Sequence, residues 1–211
     1  MKIIRGNFFR YPAFFLAVFL WLSFFSLPAV TGAGETPPQR FFIGMAAGYF
    51  YPQQSTFLKI YEKSIWPVEL QFDWALGRNL SVFGAARYLE TSGNTVLLAA
   101  RQPEETHALR WRMATMRLGM NVRLRPSRFT PFIGAGGSYS FYREQWLDTS
   151  LTTEGQKAGF FFQAGGFYRL HRRWHAQAQL EYSSVPAGSG AQGQVNLGGL
   201  SLFLGLMAGI F

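Results

Sequence analysis

The chain has 211 residues and no cysteine, enough for one domain and a leader, with disulfides, thiolate metal sites and lipid attachment through an N-terminal Cys excluded. A hydrophobic fraction of 48% argues against a bundle of membrane helices, whereas aromatics at 18% and 23 glycines suit twisted strands with aromatic belts. The formal charge of +9 includes three bases and no acid in the first 33 residues; without them 17 bases face 11 acids, a balance of +6, and their scattered placement argues against a nucleic-acid partner.

Residues Met1 to Pro12 are basic, Ala13 to Leu27 form an apolar run, and Pro28 to Gly34 are small and helix-breaking. That order predicts a signal peptide over residues 1–33, cleaved near 32–34. The apolar run falls short of the ~20 residues that a spanning helix needs.

The remainder, 34–211, changes to a period of two. Phe41 to Tyr51 sets Phe41, Ile43, Met45, Ala47, Tyr49 and Tyr51 against Gly44, Ala46 and Gly48. Val68, Leu70, Phe72, Trp74 and Leu76 oppose Glu69, Gln71 and Asp73, and a turn at 77–79 leads to Leu80, Val82, Gly84, Ala86 and Tyr88 opposite Ser81, Ala85 and Arg87. A fourth strand sets Ala114, Met116, Leu118, Met120, Val122 and Leu124 against Thr115, Arg117, Asn121 and Arg123. After a turn at 126–128, Ile133, Ala135, Gly137, Tyr139 and Phe141 oppose Gly134, Gly136, Ser138 and Ser140. The sixth strand sets Phe160, Phe162, Ala164 and Tyr168 against Gln163 and Arg169; beyond a turn at 171–173, Trp174, Ala176, Ala178, Leu180 and Tyr182 oppose His175, Gln177, Gln179 and Glu181. An eighth is predicted from Val195 to Phe211, with a bulge near Met207 because Leu200, Leu202, Leu204 and Leu206 are out of phase with Phe211.

Short turns thus alternate with longer loops near 52–65, 91–109, 144–157 and 185–194. This asymmetry, with an even strand count, predicts an all-β fold: an eight-stranded antiparallel up-and-down transmembrane β-barrel with periplasmic turns and extracellular loops. Aromatics near the ends of the apolar face, and a polar face rich in Gly, Ala, Ser and Gln, put the apolar face toward lipid and argue against a soluble ligand-carrying barrel.

The segments Gly48-Tyr49-Phe50-Tyr51-Pro52, Phe57-Leu58-Lys59-Ile60-Tyr61, Asn79-Leu80-Ser81-Val82-Phe83-Gly84 and Thr130-Pro131-Phe132-Ile133-Gly134-Ala135-Gly136 resemble, in that succession, the OmpA/OmpX-like family of small outer-membrane barrels. The resemblance covers the whole mature chain. It implies localisation to the outer membrane of a Gram-negative bacterium, no open channel, and insertion by the barrel-assembly machinery. With the sequence ending at Phe211, no peptidoglycan-binding domain is expected, and Gly209 stands where such barrels usually carry an aromatic.

Three candidate sites follow. A lumen network is expected from Glu69, Asp73, Arg87, Arg117, Arg123, Gln163, Arg169, His175 and Glu181, with Glu69 across from Arg87, Gln163 from Glu181, and Arg169 from His175. In a lumen this narrow such charges must pair, so a polar plug is expected rather than an ion path. In the first loop, Phe57, Ile60, Tyr61 and Trp66 are recognition candidates that equally suit folding over the barrel mouth. Arg101, Arg110, Arg112 and Arg143 near the outer rim suit lipopolysaccharide phosphates.

No catalytic set stands out. Ser150, Ser183 and Ser184 lack an evident histidine partner, and His107, His171 and His175 are poorly placed for one. The expected function is non-enzymatic, in envelope structure or surface recognition; the alternatives are an outer-leaflet lipid A-modifying enzyme and, behind it, a narrow pore. No cofactor or metal is expected. The expected partners are outer-membrane lipid and lipopolysaccharide, for a chain that acts as a monomer.

Overall fold

The computed structural model describes residues 41–61, 65–97, 105–124, 127–149, 151–190 and 193–210. The leader 1–33, Arg101 and Phe211 lie outside them. Within them the chain forms β1 (Phe41–Pro52), a short helix α1 (Ser55–Ile60), β2 (Val68–Ala75), β3 (Leu80–Leu97), β4 (Glu105–Arg123), β5 (Phe129–Trp146), β6 (Thr152–Arg169), β7 (Trp174–Ser184), β8 (Pro186–Gly190), β9 (Gly193–Asn196) and β10 (Gly199–Gly209).

Eight of the strands close a barrel in the order β1-β10-β7-β6-β5-β4-β3-β2, every neighbouring pair antiparallel. Each short turn is tied by the backbone: Leu76 N–H donates to Leu80 O at 2.9 Å, and Leu170 N–H to Trp174 O at 2.9 Å. Closure runs from Phe42↔Gly209 to Pro52↔Gly199, which satisfies the main-chain groups of the first and last strands without an open edge.

Burial follows the period of two. Leu118, Phe162 and Leu204 point outward at 60%, 57% and 65% exposure, and their parity mates Arg117, Gln163 and Phe203 are buried. The outward apolar band runs from Leu76, Leu124 and Leu170 at the short-turn rim to Tyr51, Tyr139, Tyr182 and Leu200 toward the other end. The tip of the Phe72 ring lies over Gly84 of the neighbouring strand; a Cβ there would meet it at 2.1 Å, so any larger residue would push the ring aside.

The structure corrects three boundaries. The segments near 91–109 and 144–157, expected as loops, are largely strand: β3 to β6 are 18, 19, 18 and 18 residues long and rise beyond the apolar band as a four-stranded sheet. Polar residues at 90, 92, 110, 112, 143 and 154 mislead because a strand outside lipid no longer needs apolar side chains to pair. The last barrel strand begins at Gly199 rather than Val195, since 193–196 pairs with β8 in a separate hairpin. No bulge occurs at Met207, which points inward and pairs with Gly44 in an unbroken register.

Candidate functional site: a charged lumen beneath an aromatic cap

The inward parity positions of β2, β3, β4 and β7 bring four charges together. Glu69 and Arg87 are Cα partners across β2 and β3, as expected. Arg87 Nε donates to Glu69 Oε2 at 3.0 Å, and its Nη2 to Glu181 Oε1 at 2.7 Å. Arg117 pairs with both carboxylates as well. Each acid therefore meets two bases and each base two acids, a neutral set with all four residues buried. Alternation of sign is what makes burial tolerable, because an unpaired charge here costs several kcal/mol. Gln71 Nε2 donates to Glu69 Oε1 at 2.5 Å. The guanidinium faces are covered by aromatic rings: Arg87 lies 4.6 Å from the Phe203 centroid, and Arg117 lies 5.2 and 5.1 Å from those of Phe83 and Phe161.

A second cluster lies nearer the short turns. Asp73 accepts from Ser81 Oγ at 2.9 Å, from Asn121 Nδ2 at 3.1 Å, and from Arg123. Arg123 is covered by Phe42 and Phe167, at 5.3 and 5.8 Å. An amide chain continues around the wall. Gln163 Nε2 donates to Asn121 Oδ1 at 2.6 Å, Gln179 Nε2 to Gln163 Oε1 at 3.0 Å, and Gln177 Nε2 to Gln179 Oε1 at 2.8 Å. Gln163 and Glu181 are Cα partners, as expected, but their side chains bond to different groups. Arg169 and His175 are also register partners, yet Arg169 is exposed while His175 packs edge-on against Phe42 at 5.2 Å.

The other end of the lumen is apolar. Phe50, Ile65, Leu89, Leu109, Trp111 and Met113 form a buried cluster that also takes in Tyr61, with Phe57 and Ile60 packed against it. Phe57 contacts Tyr61 at 4.4 Å and Trp111 at 4.8 Å between ring centroids. Tyr61 OH donates to Glu144. Burial pushes the Tyr61 phenol well above its ordinary range, and the hydrogen bond and charge of Glu144 act in the same direction. The loop is seated by Phe50 N–H donating to Ile65 O at 3.0 Å and by a bridge between Tyr61 and Gly93, where a Cβ would meet Ile60 O at 2.1 Å.

Of the four recognition candidates in this loop, Phe57, Ile60 and Tyr61 face into the mouth, and Trp66 faces out at 67% exposure, 5.7 Å from Tyr49. The pH dependence of the seat has a definite sign. Above the phenol's ordinary 10.0 the unseated tyrosine loses its proton while the seated one keeps it, so stabilisation present below that pH is lost as pH rises. Protease sensitivity of the 55–61 segment is expected to climb as pH rises above about 10, and Tyr61→Phe to flatten the profile; a climb that Tyr61→Phe leaves intact would assign it to another group.

Around the outer rim Glu90 pairs with Arg110 at 3.4 Å and Arg112 at 3.2 Å, and Arg143 with Glu154 at 3.1 Å. Burial alone would raise the Glu90 carboxyl; hydrogen bonds from Tyr88 and Arg112, with the charges of Arg112 and Arg110, hold it below its usual range. Arg110, Arg112 and Arg143 thus already have carboxylate partners. His107 Nδ1 stands 4.0 Å from Asp148, while Ser183 bonds to Gly199 O and Ser184 to Asn196. Ser150 lies outside the described residues. Among the described residues no group of three or more His, Asp and Glu could hold a metal.

Sequence parity placed the nine lumen residues on one face but missed Ser81, Asn121, Gln71 and Gln179 as their bonding partners, and missed the inward rings. Parity does carry that signal: Phe42, Phe50, Phe83, Phe132, Phe161, Phe167 and Phe203 all occupy inward positions.

No protein-family model and no curated protein matches the chain. Solved structures do. OprG of Pseudomonas aeruginosa aligns with a TM-score of 0.61 at 14% identity, over 80% of this chain and 95% of that one. Neisserial surface protein A aligns with a TM-score of 0.55 at 12% identity, over 80% and 96%. Ail, the attachment invasion locus protein of Yersinia pestis, in complex with the heparin analogue sucrose octasulfate, aligns at 0.50 with 12% identity, over 80% and 95%. The fold is that of the small outer-membrane β-barrels, as the sequence resemblance implies.

Proposed function

We propose that the mature chain is a monomeric, non-enzymatic integral protein of a bacterial outer membrane. It is exported by a signal peptide over residues 1–33, cleaved near 32–34, and inserted by the barrel-assembly machinery. One observation carries the reading: the outward face is a continuous apolar band, while the inward face pairs its buried charges with one another. A soluble barrel would reverse that preference. The paired quartet below and the aromatic cap above close the lumen to ions, which leaves the raised sheet of β3 to β6 as the working surface. Envelope support or surface contact through that sheet fits a fold that Ail also uses, a protein seen bound to a heparin analogue.

Gel mobility of unheated and boiled outer-membrane fractions tests the placement. A closed barrel resists SDS until boiled, so a shift is expected; a soluble periplasmic protein without one would refute the membrane reading. In planar bilayers the folded protein is expected to give no steady conductance, whereas discrete openings would replace a closed lumen with a pore. Lipid A masses are expected to match with and without the protein; a difference of one acyl chain would point instead to outer-leaflet lipid chemistry.

A further inference from the structure

The two ends of the barrel differ in charge in a way the proposed function does not use. No Asp or Glu occurs at positions 74–89, 106–143 or 155–180, the stretches that form the three short turns and their flanking strands. The nearest acid, Asp73, is fully buried and bonded to Ser81, Asn121 and Arg123. Against that stand Arg78, Arg128, Arg169 and Arg173, all exposed at the same rim and none with a carboxylate partner among the described residues. At the opposite rim Arg110, Arg112 and Arg143 each have one. Among the described residues the short-turn rim therefore carries four exposed arginines with no paired acid, whose charges repel unless an anion comes between them.

We infer that this rim is a docking surface for anionic phospholipid headgroups of the periplasmic leaflet, an inference that rests on the membrane placement proposed above. Three observations select that partner. Arg128, Arg169 and Arg173 adjoin in sequence the exposed Phe129, Tyr168 and Trp174, rings that suit a membrane interface, and Arg78 sits in the turn between the exposed Leu76 and Leu80, where the apolar band ends. The Arg128 guanidinium lies 5.2 Å from the Tyr168 ring, so it lies against the outer wall where headgroups pack, away from the lumen. All four are arginine, whose planar fork engages a phosphate through two parallel hydrogen bonds; the chain's four lysines all lie elsewhere, at 2, 59, 63 and 157.

The test is lipid selection by the folded full-length mature protein. Detergent-solubilised protein is incubated with equal amounts of phosphatidylglycerol and phosphatidylcholine, repurified, and the retained lipid counted by mass spectrometry. Retention of phosphatidylglycerol is expected to exceed that of phosphatidylcholine by about five-fold. The combined Arg78→Gln, Arg128→Gln, Arg169→Gln and Arg173→Gln variant should lose most of that preference, and Arg110→Gln/Arg112→Gln should keep it. The preference should also collapse as salt is raised from about 50 to 500 mM, a readout on the native chain that needs no variant to fold.

Equal retention of the two lipids, or a preference indifferent to the rim substitutions and to salt, overturns the inference. So does complete displacement by millimolar inorganic phosphate, which would make the rim a site for free anion, and so does arginine-dependent retention on isolated peptidoglycan without lipid selection. Heat-modifiable mobility on the same sample keeps the two proposals apart. A sample that resists SDS yet selects no lipid defeats the rim alone, whereas one that does not resist SDS defeats the membrane placement beneath it.

Discussion

Glu69→Gln is expected to lower the unfolding free energy of the barrel by about 3–5 kcal/mol. The substitution keeps the size and removes one charge from a set in which Glu69 meets both Arg87 and Arg117. Glu181 then has to serve two guanidinium groups by itself, in a layer enclosed by Phe83, Phe161 and Phe203 where water cannot replace the lost carboxylate. Denaturant titration in lipid vesicles, followed by tryptophan fluorescence, measures the loss. Adding Arg87→Gln restores neutrality, so the double variant should be more stable than the sum of the single losses predicts, by about 1–3 kcal/mol. Strictly additive losses, or no change in Glu69→Gln, would mean that the quartet is not the balanced unit its geometry suggests.

Trp111→Ala is expected to cost about 3–5 kcal/mol, with a different signature. Trp111 is buried in the mouth, and its ring is the surface on which Phe57 and Tyr61 rest. Its removal opens a cavity under α1 and frees the 52–65 loop, while the paired charges lower in the lumen keep their partners. Limited proteolysis should therefore cut the first loop early, and the boiled-versus-unboiled gel shift should persist. Loss of both together would show that cap and barrel unfold as one cooperative unit.

The barrel was legible in the sequence because lipid imposes a single rule on every spanning strand: apolar out, period two, no edge. Glu69 opposite Arg87 followed from one turn and a count of residues. What escaped was whatever that rule does not govern. Residues 91–97 and 105–109 read as loop because their outward positions are mostly polar, although the backbone goes on pairing from Leu97↔Glu105 down to Leu80↔Val122. The lumen phenylalanines escaped for the opposite reason, since an aromatic at an inward position looks like noise until arginines are known to need covering. The fate of Phe57 and Tyr61 was open because an apolar loop can serve a partner or its own barrel, and the packing on Trp111 with the bridge to Gly93 decides between them.

The reach of the quartet along the chain bears on how the barrel is made. Arg87 finds Glu69 only 18 residues away, within one hairpin, but finds Glu181 at a separation of 94, and Arg117 finds no acid between positions 106 and 143 and pairs instead with Glu69 and Glu181. A sheet holding the fourth strand but not yet the seventh would carry one guanidinium of this set in excess on its inward face. A partly assembled sheet inserted into hydrocarbon would have to solvate that cation, at a cost of several kcal/mol. Closing the sheet as it enters hydrocarbon would avoid that cost, because β7 carries the carboxylate that balances the charge.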